Sequence, residues 1–227
     1  MDGKTVAISQ PVYLPYPGFF EKIARSDLFV FLDNVQYERR GWDNRNRIKT
    51  PQGPKWLTVP VKSKGKYLAK LAEIEIDNQQ NWIRKHLNSI TINYKRAEFF
   101  AEVYPVIEAH LLEGHKLLID LNISLITHFC KYLGLETVFK KASELEAQGK
   151  GSDLILDILL KTDADTYFSG IFGKEYLQEE KFKQKGIDIV YQNYSSSVYP
   201  QLFGSFIPNL SIIDLLFNCG RGSREYI

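Results

Sequence analysis

Thr5–Ser9 (TVAIS), Gln10–Gly18 (QPVYLPYPG), Phe19–Ser26 (FFEKIARS) and Leu28–Leu32 (LFVFL) decide the fold class. The first run is short, apolar and β-branched, which suits a buried strand. The second places three prolines and one glycine in nine residues. Proline offers no N–H to a ladder and disrupts a helix interior, so this stretch reads as a stiff loop. In the third, Phe20, Ile23 and Ala24 share one side at helical spacing. The fourth is a second continuous apolar strand. Strand, loop, helix and strand in about thirty residues make a βαβ unit, which belongs in a parallel sheet.

Open parallel sheets bind ligands beyond the carboxyl ends of their strands. Two segments leave those ends here: the proline loop, with Gln10 and Tyr13, and Asp33–Tyr37 (DNVQY), with Gln36 and Tyr37. A carboxylate at Asp33 suits a metal, a base to be oriented or a sugar hydroxyl. The ordinary alternative is a capping Asp that turns the chain.

Glu38–Thr50 (ERRGWDNRNRIKT) is the densest hydrogen-bonding segment. Two guanidiniums clamp a phosphate bidentately, and amides hold ribose or sugar hydroxyls. In an extended chain Arg45 and Arg47 share one face, and Asn44 and Asn46 the other. With Lys49, Trp42, Trp56 and Tyr37 close by, the mixture suits a nucleotide base and its phosphates. A solvated basic turn is the plain alternative.

Further along, Trp56–Lys62 (WLTVPVK) reads as a strand, and Ala72–Asp77 (AEIEID) alternates like a half-exposed one. Gln80–Asn93 has helical spacing. Ala97–Leu133 is helical too, with breaks expected at Pro105 and near Gly114, and a stop at Gly134. Then helix and strand alternate: Thr137–Phe139, Ser152–Lys161, Thr166–Ser169, Glu175–Gly186, Ile187–Tyr191 and Asn209–Asn218. The expectation is a single α/β domain over 1–227. It is Rossmann-like, with a mainly parallel sheet, flanking helices and a helical insertion, roughly residues 80–133, in the middle of the chain.

The 227 residues are 44% hydrophobic and 25% charged, ordinary globular values. Lys plus Arg number 29 against 27 Asp plus Glu, a net charge of +2. That balance gives no electrostatic case for nucleic acid. A ligand with one to three negative charges fits the local Arg/Asn segment better. Cys130 and Cys219 show no metal-ligand spacing, and the four histidines are scattered, so no metal site is expected. No apolar run approaches eighteen residues, so no membrane insertion is expected, and reduced cysteines point to a cytoplasmic location.

His86 lies among polar residues on its helix and could serve as a general base. A plain surface histidine is the commoner reading. Ser169-Gly170 follows a strand and would let backbone approach a ligand. The Tyr167–Ile171 segment lacks the Gly-x-Ser-x-Gly nucleophile elbow. Neither a Walker A motif nor GxGxxG is present.

Ile8–Phe20, Phe31–Tyr37, Trp42–Lys49 and Trp56–Val61 resemble the WbqC-like family. The likeness continues through Trp82…His86, Tyr167–Gly170 and Leu210–Leu216. The resemblance implies a role in bacterial surface polysaccharide such as O-antigen: N-acyl or aminoacyl transfer to a nucleotide-linked amino sugar. On that reading Arg45 and Arg47 hold the pyrophosphate, and Trp42 or Tyr37 stacks on the base. Asp33 and Gln36 orient the sugar, and His86 or Asp33 takes the amine proton. Gln10, Tyr13, Asn44, Asn46, Lys49, Ser169, Gly170 and Gln201 complete the pocket. No tightly bound cofactor is implied; the acyl donor is a thioester on coenzyme A or on an acyl carrier protein. The oligomeric state is left open, a homodimer included. A non-catalytic nucleotide-sugar or acyl-carrier binding module is the first alternative. The second is a nucleotidyltransferase-like enzyme. The start of the chain is similar, at fold level, to pantothenate-synthetase-type nucleotidylyltransferases. Where those carry two histidines around the helix-opening glycine, this chain has Tyr16 and Phe19.

Overall fold

The computed structural model describes residues 3–65 and 68–227. The chain divides into two compact units, each assembled from separated segments. The first comprises Met1–Gln10, Glu21–Asn34 and Leu135–Ser195; the second comprises Pro11–Phe20, Val35–Gly134 and Ser196–Ile227.

The first unit is built on a five-stranded sheet of β1 (Thr5–Ser9), β2 (Leu28–Phe31), β5 (Val138–Lys141), β6 (Thr166–Ser169) and β7 (Asp188–Tyr191). Its order is β5-β2-β1-β6-β7, and every pairing is parallel. The Rossmann-like α/β reading therefore holds. All four residues of β2 are buried, as expected where helices cover both faces of a parallel sheet. Phe29, Phe31 and Phe139 form an aromatic cluster, with the Phe31 and Phe139 rings stacked at 5.4 Å. Among the flanking helices, α5 (Ser152–Lys161) buries Leu154, Ile155, Ile158 and Leu159 on one face. Each such side chain contributes about 1.5–3 kcal/mol on burial. A shorter helix, α6 (Glu179–Lys183), buries Phe182.

Helix α1 (Pro17–Ala24) follows the proline loop and opens on Pro17. Proline suits that first position, because its missing N–H would have no intrahelical partner there and its φ is already helical.

In the second unit, β3 (Arg45–Thr50) and β4 (Gly53–Thr58) form an antiparallel hairpin. The Trp56–Lys62 strand thus begins earlier and ends sooner than expected, because its register is set by the turn at Pro51-Gln52. Ala72–Asp77 is a correction: it makes no strand. Leu71–Glu73 forms a 3-10 turn, and beyond it only isolated bridges join Val61 to Ile76 and Glu75 to Leu117. The alternation is real, but no continuous partner strand lies alongside to extend a ladder. Helices α2 (Trp82–Tyr94), α3 (Phe100–Leu112) and α4 (Leu118–Tyr132) form the helical insertion. Pro105 does not break α3. Its missing N–H forfeits one bond, to the Ala101 carbonyl, and the helix runs on. Helix α7 (Ile212–Cys219) is capped by Ser211, whose side chain accepts from the Ile213 N–H. Among the described residues no helix is long and apolar enough to cross a membrane.

Candidate functional site

Chain order along the sheet runs outward from β1 through β2 to β5, then restarts on the other side with β6 and β7. The order reverses between β1 and β6, and that crevice is where open α/β sheets bind ligands. A cavity of about 280 Å³ occurs there in the first unit. The carboxyl ends of both strands supply its wall, through Ser9, Gln10, Ser169 and Gly170. Sequence reasoning found three of these four. It missed Lys22, Tyr176 and Gly173, which also line it. Lys22 is buried, and its ammonium donates to the Ile8 carbonyl at 2.6 Å and the Ser9 hydroxyl at 3.1 Å. Burial lowers its pKa to about 7, against a smaller raising effect from Glu21. No local pattern marked it: Lys22 sits in the last turn of α1, where a lysine ordinarily reads as solvated.

Asp33 also lies in the first unit, but the cavity wall stops at Leu32. Its carboxylate is buried and accepts from the Ser143 N–H at 2.9 Å and from the Ser143 hydroxyl. Both oxygens are thus engaged by the turn after β5, a long-range tie between two loops rather than a local cap.

The second unit carries a wider recess of about 610 Å³. Arg39, Arg40 and Arg45 line it with Tyr37, Asn44 and Gln80. Arg45 spends part of its fork on the Gly41 carbonyl (3.0 Å) and on the Arg40 carbonyl, and stacks over Trp56 at 4.4 Å. Arg39, Arg40 and Gln80 were not singled out in the sequence, although Arg39-Arg40 stand side by side in it.

The period-2 geometry of β3 sorts the rest of the Arg/Asn segment. Arg45 and Arg47 are half-buried on one face, while Asn46 and Ile48 are buried on the other. The inward groups serve the protein: the Asn46 amide donates to the Leu14 carbonyl at 2.7 Å and the Asn44 amide to the Val59 carbonyl at 2.7 Å. Arg47 does not line the recess; its guanidinium lies 5.7 Å from both the Trp42 and Trp56 rings, which pack on each other at 5.1 Å. Gln36 is exposed and bridges backbone to Lys70.

Lys49 and Gln201 meet, but in a buried network. The Lys49 ammonium donates to Gln201 Oε1 (3.0 Å) and the Ser205 carbonyl (2.6 Å). Asp214, fully buried, accepts from the Tyr94 hydroxyl (2.6 Å), the Tyr199 hydroxyl (2.8 Å) and the Gln201 amide (2.8 Å). Burial raises the Asp214 pKa, and these donors oppose the rise. The Asp214 carboxylate was missed because nothing in the LSIIDLL helix marks one aspartate as buried.

His86 is also enclosed. Nε2 lies 3.1 Å from the Thr58 carbonyl, which only accepts, so Nε2 carries the proton. Nδ1 then accepts from the Tyr13 hydroxyl at 3.1 Å. Desolvation lowers its pKa to about 4, against the raising effect of the Thr58 bond. Both ring nitrogens are therefore occupied within the second unit. The described residues hold no group of three or more His, Cys, Asp or Glu that could bind a metal ion. Both cysteines are free thiols.

Comparison with known proteins agrees over nearly the full length. A protein of Mycobacterium tuberculosis (strain ATCC 25618 / H37Rv), described as uncharacterized protein Rv1507c, is 37% identical over 226 residues. The match covers 99% of this chain and 97% of that protein. No solved structure matches. The model of the WbqC-like protein family matches residues 10–226, and the chain belongs to that family.

Proposed function

We propose that this protein is an N-acyl or aminoacyl transferase acting on a nucleotide-linked amino sugar in bacterial surface polysaccharide (O-antigen) synthesis. The observation that carries the reading is the arginine-lined recess of the second unit. Three guanidiniums beside a tyrosine and two amides match a pyrophosphate flanked by a base and a hydroxyl-rich sugar. Arg39 and Arg40 take the phosphates, Tyr37 gives the base an aromatic wall, and Gln80 meets a sugar hydroxyl. The acyl donor is a thioester on coenzyme A or on an acyl carrier protein. The test incubates the purified protein with a panel of nucleotide-linked amino sugars and acyl thioesters and reads products by mass spectrometry. An acylated nucleotide sugar supports the proposal. No acylated product across the panel, with no ligand-dependent melting shift, overturns it.

A second reading is a non-catalytic nucleotide-sugar binding module. It is favoured by one observation: the two expected bases are both engaged, His86 by Tyr13 and Thr58 and Asp33 by Ser143. That reading requires a melting shift without turnover.

A further inference from the structure

The cavity at the crossover of the parallel sheet contains a buried ammonium that no carboxylate bonds among the described residues; Glu21 acts on it only through space. Lys22 is 5% exposed, and its ammonium meets only a carbonyl and a hydroxyl. Two of its three donors are used, and no carboxylate bonds to it among the described residues. Its neighbour on α1, Glu21, is turned to Arg25 at 2.9 Å and to Gln192. A buried ammonium without a counter-ion is costly unless something supplies the opposite charge.

The rest of the wall describes what that something is. Ser9, Ser169 and Tyr176 offer hydroxyls, while Ile155 and Phe172 are apolar. Gly173 lets the backbone pack close against Ser169, since a Cβ there would come 2.2 Å from its hydroxyl oxygen. The cavity, about 280 Å³, lies at the low end of the roughly 300–1,000 Å³ range of ligand pockets and suits a small organic acid. One cation balances a singly charged carboxylate, whereas a phosphate would bring a second charge with no partner.

We infer that this cavity is a binding site for a small monocarboxylate bearing a short aliphatic chain and a hydroxyl or amino group, with Lys22 as its counter-ion. The inference does not rest on the nucleotide-sugar reading, which concerns the other unit. The carboxylate bonds to the remaining Lys22 donor and to the Ser9 hydroxyl. The ligand's own polar substituent meets Ser169 or Tyr176. Bound charge also restores the ammonium that burial disfavours, so affinity falls as pH rises above about 7. The other titratable groups around the cavity are Tyr167, Tyr176 and Glu21. Both phenols are held above their usual range by burial and stay neutral there.

The test measures binding of sodium 3-hydroxybutyrate, 3-hydroxybutyramide and inorganic phosphate to the whole chain, by calorimetry and melting shift at pH 6.5. The acid is expected to bind, with the amide and phosphate weaker by about tenfold or more, as loss of a charge-assisted bond implies. Lys22→Met should lose the acid by a similar factor. Gly170→Val supplies an independent variant: its position has φ −65° and nothing within 4 Å of a new Cβ, so it should fold normally while filling the cavity. If Lys22→Met fails to fold, Gly170→Val decides. Equal binding of acid and amide, tighter binding of phosphate, no binding of the acid, or undiminished binding by folded Gly170→Val overturns the inference.

Discussion

Two regions of the second unit draw on opposite ends of the same strand. The far end of β3, at Lys49, feeds a closed polar core, where Lys49, Gln201, Tyr94, Tyr199 and Asp214 satisfy one another. Its first residue, Arg45, and the preceding turn feed the recess, where Arg39, Arg40 and Arg45 border open space. Residue type alone does not separate the two, because each combines cations, amides and tyrosines. Openness does: the core is closed around its groups, and the recess faces space. A group whose bonds are complete stabilises the fold, and a group facing an open cavity is available to a ligand. Substitutions in the two regions should therefore fail in different assays.

The largest effect belongs to the closed core. Asp214→Ala strands two phenols and an amide and leaves Lys49 without its nearest negative charge. Breaking a buried charged network this way costs about 3–5 kcal/mol. At about 2–4 °C per kcal/mol for a chain of this size, melting should fall by roughly 10 °C. The paired Arg39→Ala, Arg40→Ala variant should melt within about 2 °C of the parent, since exposed substitutions stay within about 0.5 kcal/mol. Equal melting losses in the two variants would erase the distinction.

The His86–Tyr13 pair extends the closed region and gives it a pH signature. The folded protein holds the imidazole at about 4, while in the unfolded chain it titrates near about 6.5. Between those values the unfolded state takes the proton and the folded state does not. Stability therefore falls as pH drops from about 6.5 to about 4, by up to about 3 kcal/mol from this residue, and falls no further below. His86→Gln retains a donor for Thr58 and an acceptor for Tyr13 without titrating. Urea unfolding at several pH values should show a shallower acid slope in that variant; identical slopes would place the imidazole in solvent.

The βαβ unit that opens the parallel sheet was legible from residues 5–32, because apolar runs, prolines and a helical stripe carry strong local signals; the order of the other strands was not. The period-2 split of Arg45 and Arg47 from Asn46 was legible too, once an extended chain was assumed. What local pattern could not reveal was closure at a distance. Asp33 and Ser143 are 110 positions apart, and Tyr94 and Asp214 are 120 apart. A carboxylate looks available until the group that fills it is placed. Lys22 was missed for the converse reason: a lysine on a short helix reads as solvated unless the crevice beside it is known.

On the recess side the effect should appear in binding. If Arg39 and Arg40 hold the phosphates, their joint replacement by alanine removes charge-assisted bonds worth about 1.5–3 kcal/mol each before compensation. Nucleotide-sugar affinity, read by calorimetry at fixed salt, should fall about 10–100-fold. Arg45→Ala should lose less, because its guanidinium already bonds the Gly41 and Arg40 carbonyls. A larger loss at Arg45 than at the pair would show that its bonds rearrange on binding.

The smallest effect tests the border between the two regions. Trp42 and Trp56 are 49% and 41% exposed, and the Arg47 guanidinium lies 5.7 Å from both ring centres. Arg47 Nε is buried with no hydrogen-bond partner, so the ring faces hold this cation in place of an acceptor. Such a contact is worth about 0.5–1 kcal/mol at an exposed site. Trp42→Ala should lower stability by no more than about that amount and leave nucleotide affinity unchanged, since Trp42 does not line the recess. A strong affinity loss would mean that the tryptophan pair, rather than Tyr37, receives the base. The ligand would then extend along the outer face of the hairpin, and Arg47, whose Nε meets no acceptor among the described residues, would become a phosphate contact.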